Sequence, residues 1–165
     1  MDLAQPDRAR PNRDPSDDAA SIARALKRSS QTVAVAESLT SGSIASSLGA
    51  AEDASEWFRG GVIAYASEVK FGVLGVRPGP VVTAGCARQM ASGVAALTGA
   101  DFALAVTGVG GPEPEEGKPV GTVFIAVRSP DGDRVEECHF DGGPAEIVHA
   151  TTARGLRMLA AAVHE

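Results

Sequence analysis

At 165 residues the chain is long enough for one domain with a substantial core. Hydrophobic residues make up 44% and charged residues 22%, as in an ordinary globular protein, while aromatics at 4% leave Ala, Val, Leu and Ile to build the core. The net charge of −6, with no dense basic block, excludes duplex nucleic acid as a partner, because neutralising phosphates requires a basic face.

No apolar run reaches membrane-spanning length, so no membrane partner is expected. Cys86 and Cys138 lie far apart, and His139, His149 and His164 are scattered; neither a disulfide framework nor a metal site has sequence support. Residues 1–15 carry Pro6, Pro11 and Pro15 among Asp and Arg, which predicts a mobile tail ahead of a single domain over residues 16–165. That tail lacks the apolar core of a signal peptide, so a cytoplasmic location is expected.

Ser16 or Asp17 is placed to cap a first helix running to about Ser30, with Ile22 and Leu26 on one face and Lys27 and Arg28 in its last turn. Residues 32–36 read as a short buried strand, and residues 40–50 as a second helix. Residues 58–65 read as a strand whose Gly60–Gly61 pair signals a bulge or a close backbone approach. Ser67 starts a short helix through Lys70 to Leu74, stopped by Gly75 and Pro78. Thr83 is a good cap for the next helix, where Ala87, Met90, Ala91, Val94 and Leu97 should face the core.

Residues 102–106 are almost wholly apolar, as in a strand covered on both faces. An acidic and flexible-looking stretch, residues 113–117, comes after the glycine-rich run that ends this strand. Residues 120–127 and 134–140 predict a hairpin turning at Pro130-Asp131-Gly132, and a last helix spans about residues 145–164, with Leu156, Leu159, Ala160 and Val163 as its stripe. Early alternation of helix and strand with a late hairpin predicts a three-layer α/β/α domain around a mixed, mainly parallel sheet. The Ala-rich last helix suits a homo-oligomer face and ordinary core packing equally.

Two strand ends deliver unusual loops, at residues 37–42 and 107–112. In open α/β sheets ligands bind at the carboxyl ends of strands, so the two loops are expected to share one site. Ser38 stands where a strand meets a helix, either as a nucleophile facing the backbone N–H groups of a helix start or as a simple cap. A serine nucleophile needs a base, and no histidine lies beside a recognisable signature. Lysine serves if burial lowers its pKa, which singles out Lys70, although a lysine in a short helix is more often a solvated surface residue. Tyr65, at a strand end, is more often a core residue with its hydroxyl satisfied.

Four motifs occur in order: Ala36-Glu37-Ser38-Leu39-Thr40-Ser41-Gly42; Arg59-Gly60-Gly61-Val62-Ile63-Ala64-Tyr65 with Lys70; Ala105-Val106-Thr107-Gly108-Val109-Gly110-Gly111-Pro112; and Lys118-Pro119-Val120-Gly121-Thr122-Val123. Together they resemble the C-terminal domain of the competence/damage-inducible protein CinA, a family that includes nicotinamide-nucleotide amidases. The resemblance implies hydrolysis of nicotinamide mononucleotide to nicotinic acid mononucleotide and ammonia, with no metal and no cofactor. It implies Ser38 as nucleophile and Lys70 and Tyr65 as the residues that activate it. Glu37, Thr40, Ser41, Gly42, Thr107, Gly108 and Gly110 are implied to line the substrate pocket, with amides near Thr40–Gly42 receiving the oxyanion.

Two departures stand out against the family pattern. Ser41 occupies a position where the family usually has Gly. The run Gly142-Gly143-Pro144-Ala145-Glu146-Ile147-Val148-His149 replaces a Gly-Asp-Arg segment with a further Arg beyond it. If those arginines hold the substrate phosphate, Arg59, Arg154, Arg157 or His149 would have to substitute. The alternative reading is a catalytically weak nucleotide-binding or regulatory protein of the same fold.

Overall fold

The computed structural model describes residues 14–165, so the expected tail lies outside the described residues except for Asp14 and Pro15. Those two begin the first helix, α1 (Pro15–Ser29), where the Asp14 carboxylate accepts from Ser16 N at 2.9 Å. Asp14 therefore caps in place of Ser16 or Asp17, because proline at the first helical position has no N–H to satisfy. After α1 the chain runs through β1 (Val33–Glu37), α2 (Ser43–Gly49), α3 (Ala54–Trp57), β2 (Phe58–Ile63), α4 (Ser67–Gly72) and α5 (Ala84–Thr98). It ends with β3 (Phe102–Gly108), β4 (Thr122–Ser129), β5 (Gly132–His139) and α6 (Pro144–Val163). The one-turn α3 was not expected from the sequence.

The five strands form an open sheet in the order β2-β1-β3-β4-β5. β1 pairs parallel with both β2 and β3, and β4 pairs antiparallel with β3 and with β5. The expected mixed α/β sheet with a late hairpin is what forms, turning at Pro130 and Asp131 between the paired Ser129 and Gly132. Its register also accounts for the glycine pair in β2. The pairing with β1 shifts at Val33/Ala34, and a Cβ on Gly61 would lie 2.2 Å from the Val35 carbonyl oxygen.

Side-chain size, rather than polarity, alternates along the central strands. Val33, Val35, Leu104, Val106, Val123 and Ile125 face α1, α2 and α6, where they meet Ile22, Leu26, Ile44, Leu48, Leu156 and Leu159. Ala34, Ala36, Ala103, Ala105 and Ala126 face the other way, onto Ala87, Met90, Ala91 and Val94 of α5. Alanines on the sheet bring α5 close, since a helix approaches as far as the side chains between allow. Leu97, expected in this core, is 59% exposed: the buried stripe runs through Ala87, Met90, Ala91, Val94 and Ala95, and Leu97 falls off it.

The acidic loop also departs from expectation. The Glu116 carboxylate accepts from Val81 N and Val82 N, both at 2.9 Å, and Glu115 and Lys118 exchange backbone hydrogen bonds of 3.2 and 2.8 Å. What composition marks as flexible is tied down by its own charge. No helix among the described residues is long and apolar enough to cross a membrane.

The chain leaves β1 for its neighbour β2 on one side and returns through α4 and α5 to β3 on the other. The carboxyl ends of β1 and β3 therefore flank a topological switch point, where open α/β sheets form a crevice.

Candidate functional site

The first strand ends in Glu37, whose side chain is fully buried. Its Oε1 accepts from the Thr40 hydroxyl at 2.6 Å, Gly42 N at 3.2 Å and Ile44 N at 3.0 Å, and its Oε2 accepts from Ala45 N at 2.9 Å. An internal carboxylate thus occupies the anion site at the start of α2, a place the dipole and free N–H groups make favourable. Two expectations are corrected by this. The second helix begins at Ser43 rather than residue 40, because residues 40–42 form the turn that wraps Glu37. The helix start facing Ser38 is not open to a ligand, since the Gly42 amide is bound by Glu37 and the Ser41 amide donates to Ser38 O at 3.1 Å.

Ser41 has φ +50°, a left-handed conformation that glycine adopts without strain. Ser41→Gly is expected to leave stability unchanged or raise it by up to about 1 kcal/mol, read as the urea midpoint. A loss above 1 kcal/mol would show that the Ser41 side chain has a structural role.

Ser38 itself is only 7% exposed and does not act as a cap; Gly42 holds the N-cap position of α2. Lys70, expected on composition alone to be solvated, is 1% exposed. Its Nζ donates to Ser38 Oγ at 2.9 Å, to Ala64 O at 2.8 Å and to Tyr65 O at 3.1 Å. Burial lowers its pKa below the ordinary lysine value of 10.5, opposed by Cys86, Glu115 and Glu116. The residues that meet at this point come from three places in the sequence: the loop after β1, the end of the β2 segment, and α4.

Ser38 and Lys70 line a cavity of about 320 Å³ together with Leu39, Tyr65, Thr107, Gly108, Gly110 and Glu115. Sequence reasoning brings Ser38, Tyr65, Lys70, Thr107, Gly108 and Gly110 to this place. It does not bring Glu37, Thr40, Ser41 or Gly42: the Glu37 carboxylate holds Thr40 and Gly42 as framework outside the lining, and Ser41 is exposed. Thr107 is buried and donates its hydroxyl to Val81 O at 2.9 Å, which ties β3 to the loop that Glu116 also holds. The two site loops touch: a Cβ on Gly110 would lie 3.5 Å from Leu39 Cβ.

Tyr65 is 68% exposed, not a core residue, and sets its ring at the rim. Its backbone carbonyl, rather than its phenol, contacts Lys70.

Among the described residues neither histidine nor arginine lines the cavity. Arg154 is held by two bonds to Glu136, from Nε at 2.9 Å and from an Nη at 2.6 Å. His164 pairs with Ser21 and His139 with Glu137. Cys86 and Cys138 are free and buried, burial raises the pKa of both thiols, and that of Cys138 reaches about 11. No group of His, Cys, Asp and Glu suited to a metal ion occurs among the described residues. A smaller cavity of about 180 Å³ lies beneath the β4–β5 turn and contains the exposed Arg134–Glu165 pair. It holds no activated nucleophile.

A three-layer α/β domain with a serine and a buried lysine at its switch point is the class that fold and site define. The chain belongs to the CinA C-terminal domain family, whose model matches residues 16–163. It is 47% identical over 127 residues to a CinA-like protein of Frankia casuarinae, covering 74% of this chain and 29% of the relative. A CinA-like protein of Thermosynechococcus vestitus is 42% identical over 147 residues, covering 84% and 35%. The chain therefore spans about a third of the length of these curated relatives. Among solved structures, the competence/damage-inducible protein CihA of Agrobacterium tumefaciens superposes with a TM-score of 0.87 at 32% identity, covering 93% of this chain and 98% of that one. The competence damage-inducible protein A of Klebsiella pneumoniae gives 0.89 at 32% identity, covering 93% and 99%.

Proposed function

We propose that this domain hydrolyses the carboxamide of nicotinamide mononucleotide, with Ser38 as nucleophile and Lys70 as its base. The observation that carries this reading is the set of three acceptors around Lys70 Nζ. A neutral amine has two N–H groups and one lone pair. With Ala64 O and Tyr65 O taking the two N–H groups, the lone pair faces Ser38 Oγ. Burial shifts Lys70 toward that neutral form, in the direction that proton removal needs.

In the first step Ser38 Oγ bonds to the carboxamide carbon and its proton passes to Lys70 Nζ. The tetrahedral centre then expels ammonia, its nitrogen taking the proton from Lys70, and an ester on Ser38 remains. Water attacks this ester, giving its proton to Lys70, which returns a proton to Ser38 Oγ as the acid departs. The sum is amide plus water giving acid plus ammonia. The loops at Leu39 and Gly110 meet at the cavity, and backbone N–H groups there are the expected donors to the carbonyl oxygen. The resemblance assigns the Tyr65 phenol a part in activating Ser38. Its place at the rim suits contact with the substrate ring better.

The second reading, binding without turnover, draws on the lack of arginine among the described residues of the cavity wall. The two are separated by incubating the protein with nicotinamide mononucleotide and measuring ammonia and nicotinic acid mononucleotide together. Equal molar release of both supports the amidase. Saturable binding of the nucleotide with no ammonia refutes it in favour of the binding protein.

A further inference from the structure

The cavity that holds Ser38 and Lys70 has an unusual charge balance. Among the described residues, Lys70 is the one basic residue in its lining and Glu115 the one acid. Glu115 does not reach this position through a loose loop. Its backbone is paired with Lys118 in both directions, and the next residue, Glu116, clamps the loop to Val81 N and Val82 N. In the base form of the site Lys70 is neutral, which leaves the Glu115 carboxylate as the charge that an entering substrate meets.

From this placement we propose that Glu115 is a specificity residue that selects an amide carried on a positively charged ring over the same amide on an uncharged ring. The inference rests on the amidase reading of the site and extends it to the charge of the substrate. An uncharged carboxamide gains nothing from a carboxylate in the wall, and an anionic group near it is repelled. A cationic aromatic ring is attracted to Glu115 and also to the face of Tyr65 at the rim, where the ring quadrupole favours a cation. The same carboxylate keeps a substrate phosphate outside this part of the cavity, so that the carboxamide end enters toward Ser38.

The test uses two probes of nearly the same shape, the 1-methylnicotinamide cation and its uncharged isostere 3-methylbenzamide. Binding is measured on the intact protein for wild type, Glu115→Gln and Glu115→Asp, alongside ammonia release from nicotinamide mononucleotide. Wild type is expected to bind the cation about tenfold more tightly than the isostere, as a partly solvated charge pair allows. Glu115→Gln should bring the two within about twofold, Glu115→Asp should retain part of the preference, and added salt should weaken it in wild type. An unchanged ratio in Glu115→Gln, no preference in wild type, or no binding of either probe overturns the proposal. A preference lost in Glu115→Gln, in a protein that releases no ammonia, upholds the charge selection and overturns the amidase reading instead.

Discussion

Lys70→Met is expected to lower ammonia release from nicotinamide mononucleotide about a thousandfold, within the range that a positioned general base contributes. Methionine fills much the same space and keeps the apolar stem, but it cannot take the Ser38 proton or return one to ammonia. The substitution leaves Ala64 O and Tyr65 O without their lysine donor, and it also removes a buried amine that is costly to ionise. These effects on stability oppose one another, so the variant should stay folded with a change of about 1–2 kcal/mol in either direction.

The pH dependence has a definite sign. The folded pKa of Lys70 lies below 10.5, because burial disfavours the charged form. Wild-type activity should therefore rise with pH and level off below 10.5, as the neutral amine becomes the main form. Between the folded pKa and 10.5 this side chain holds more protons unfolded than folded, so the Lys70 contribution to stability rises with pH across that window. The buried thiols of Cys86 and Cys138 contribute the opposite slope above 9. Below the folded pKa the cost of burying the charge is present in full. Urea unfolding of wild type and Lys70→Met across that range should show wild type gaining on the variant as pH rises. Parallel curves would place the Lys70 charge outside the folding balance.

Glu37→Ala should destabilise the domain by about 4 kcal/mol or more, a large share of the stability of an ordinary domain. The Glu37 carboxylate is the shared acceptor for the Thr40 hydroxyl and for three backbone N–H groups at the start of α2. Alanine strands these donors in a buried place, and each unsatisfied group costs about 1–3 kcal/mol. Glu37→Gln, which keeps the shape and one oxygen acceptor, should cost about half as much. Because Glu37 precedes Ser38, activity should fall in both variants even where they remain folded. A urea midpoint for Glu37→Ala close to wild type would mean that α2 finds another cap.

The fold was legible because its central strands β1, β3 and β4 are apolar runs, while the polar edge strand β5 follows the turn at Pro130 and Asp131. Residues 33–36 and 102–106 alternate large and small side chains, which marks strands covered on both faces without saying which face takes α5. The site was legible only in part. Ser38 and Lys70 are 32 positions apart, and the family motifs, not spacing, bring them together. Its position inside the first motif puts Glu37 among the ligand-binding residues. Its real partners lie up to eight positions ahead, in a helix start whose fold had to be seen. Tyr65 and Leu97 show the other limit. An aromatic or a leucine in a periodic pattern suggests burial, yet the rim of a cavity and the flank of a helix leave both exposed.

The pairing of Ser38 with Lys70 is tested most directly by a double-substitution cycle on ammonia release at saturating nicotinamide mononucleotide. Groups that move one proton between them act as a unit, so losses do not multiply. Ser38→Ala and Lys70→Met should each reduce turnover to nearly the level of the double variant. Losses that multiply in the double variant, or a Ser38→Ala variant that keeps wild-type turnover, would contradict the serine–lysine pair.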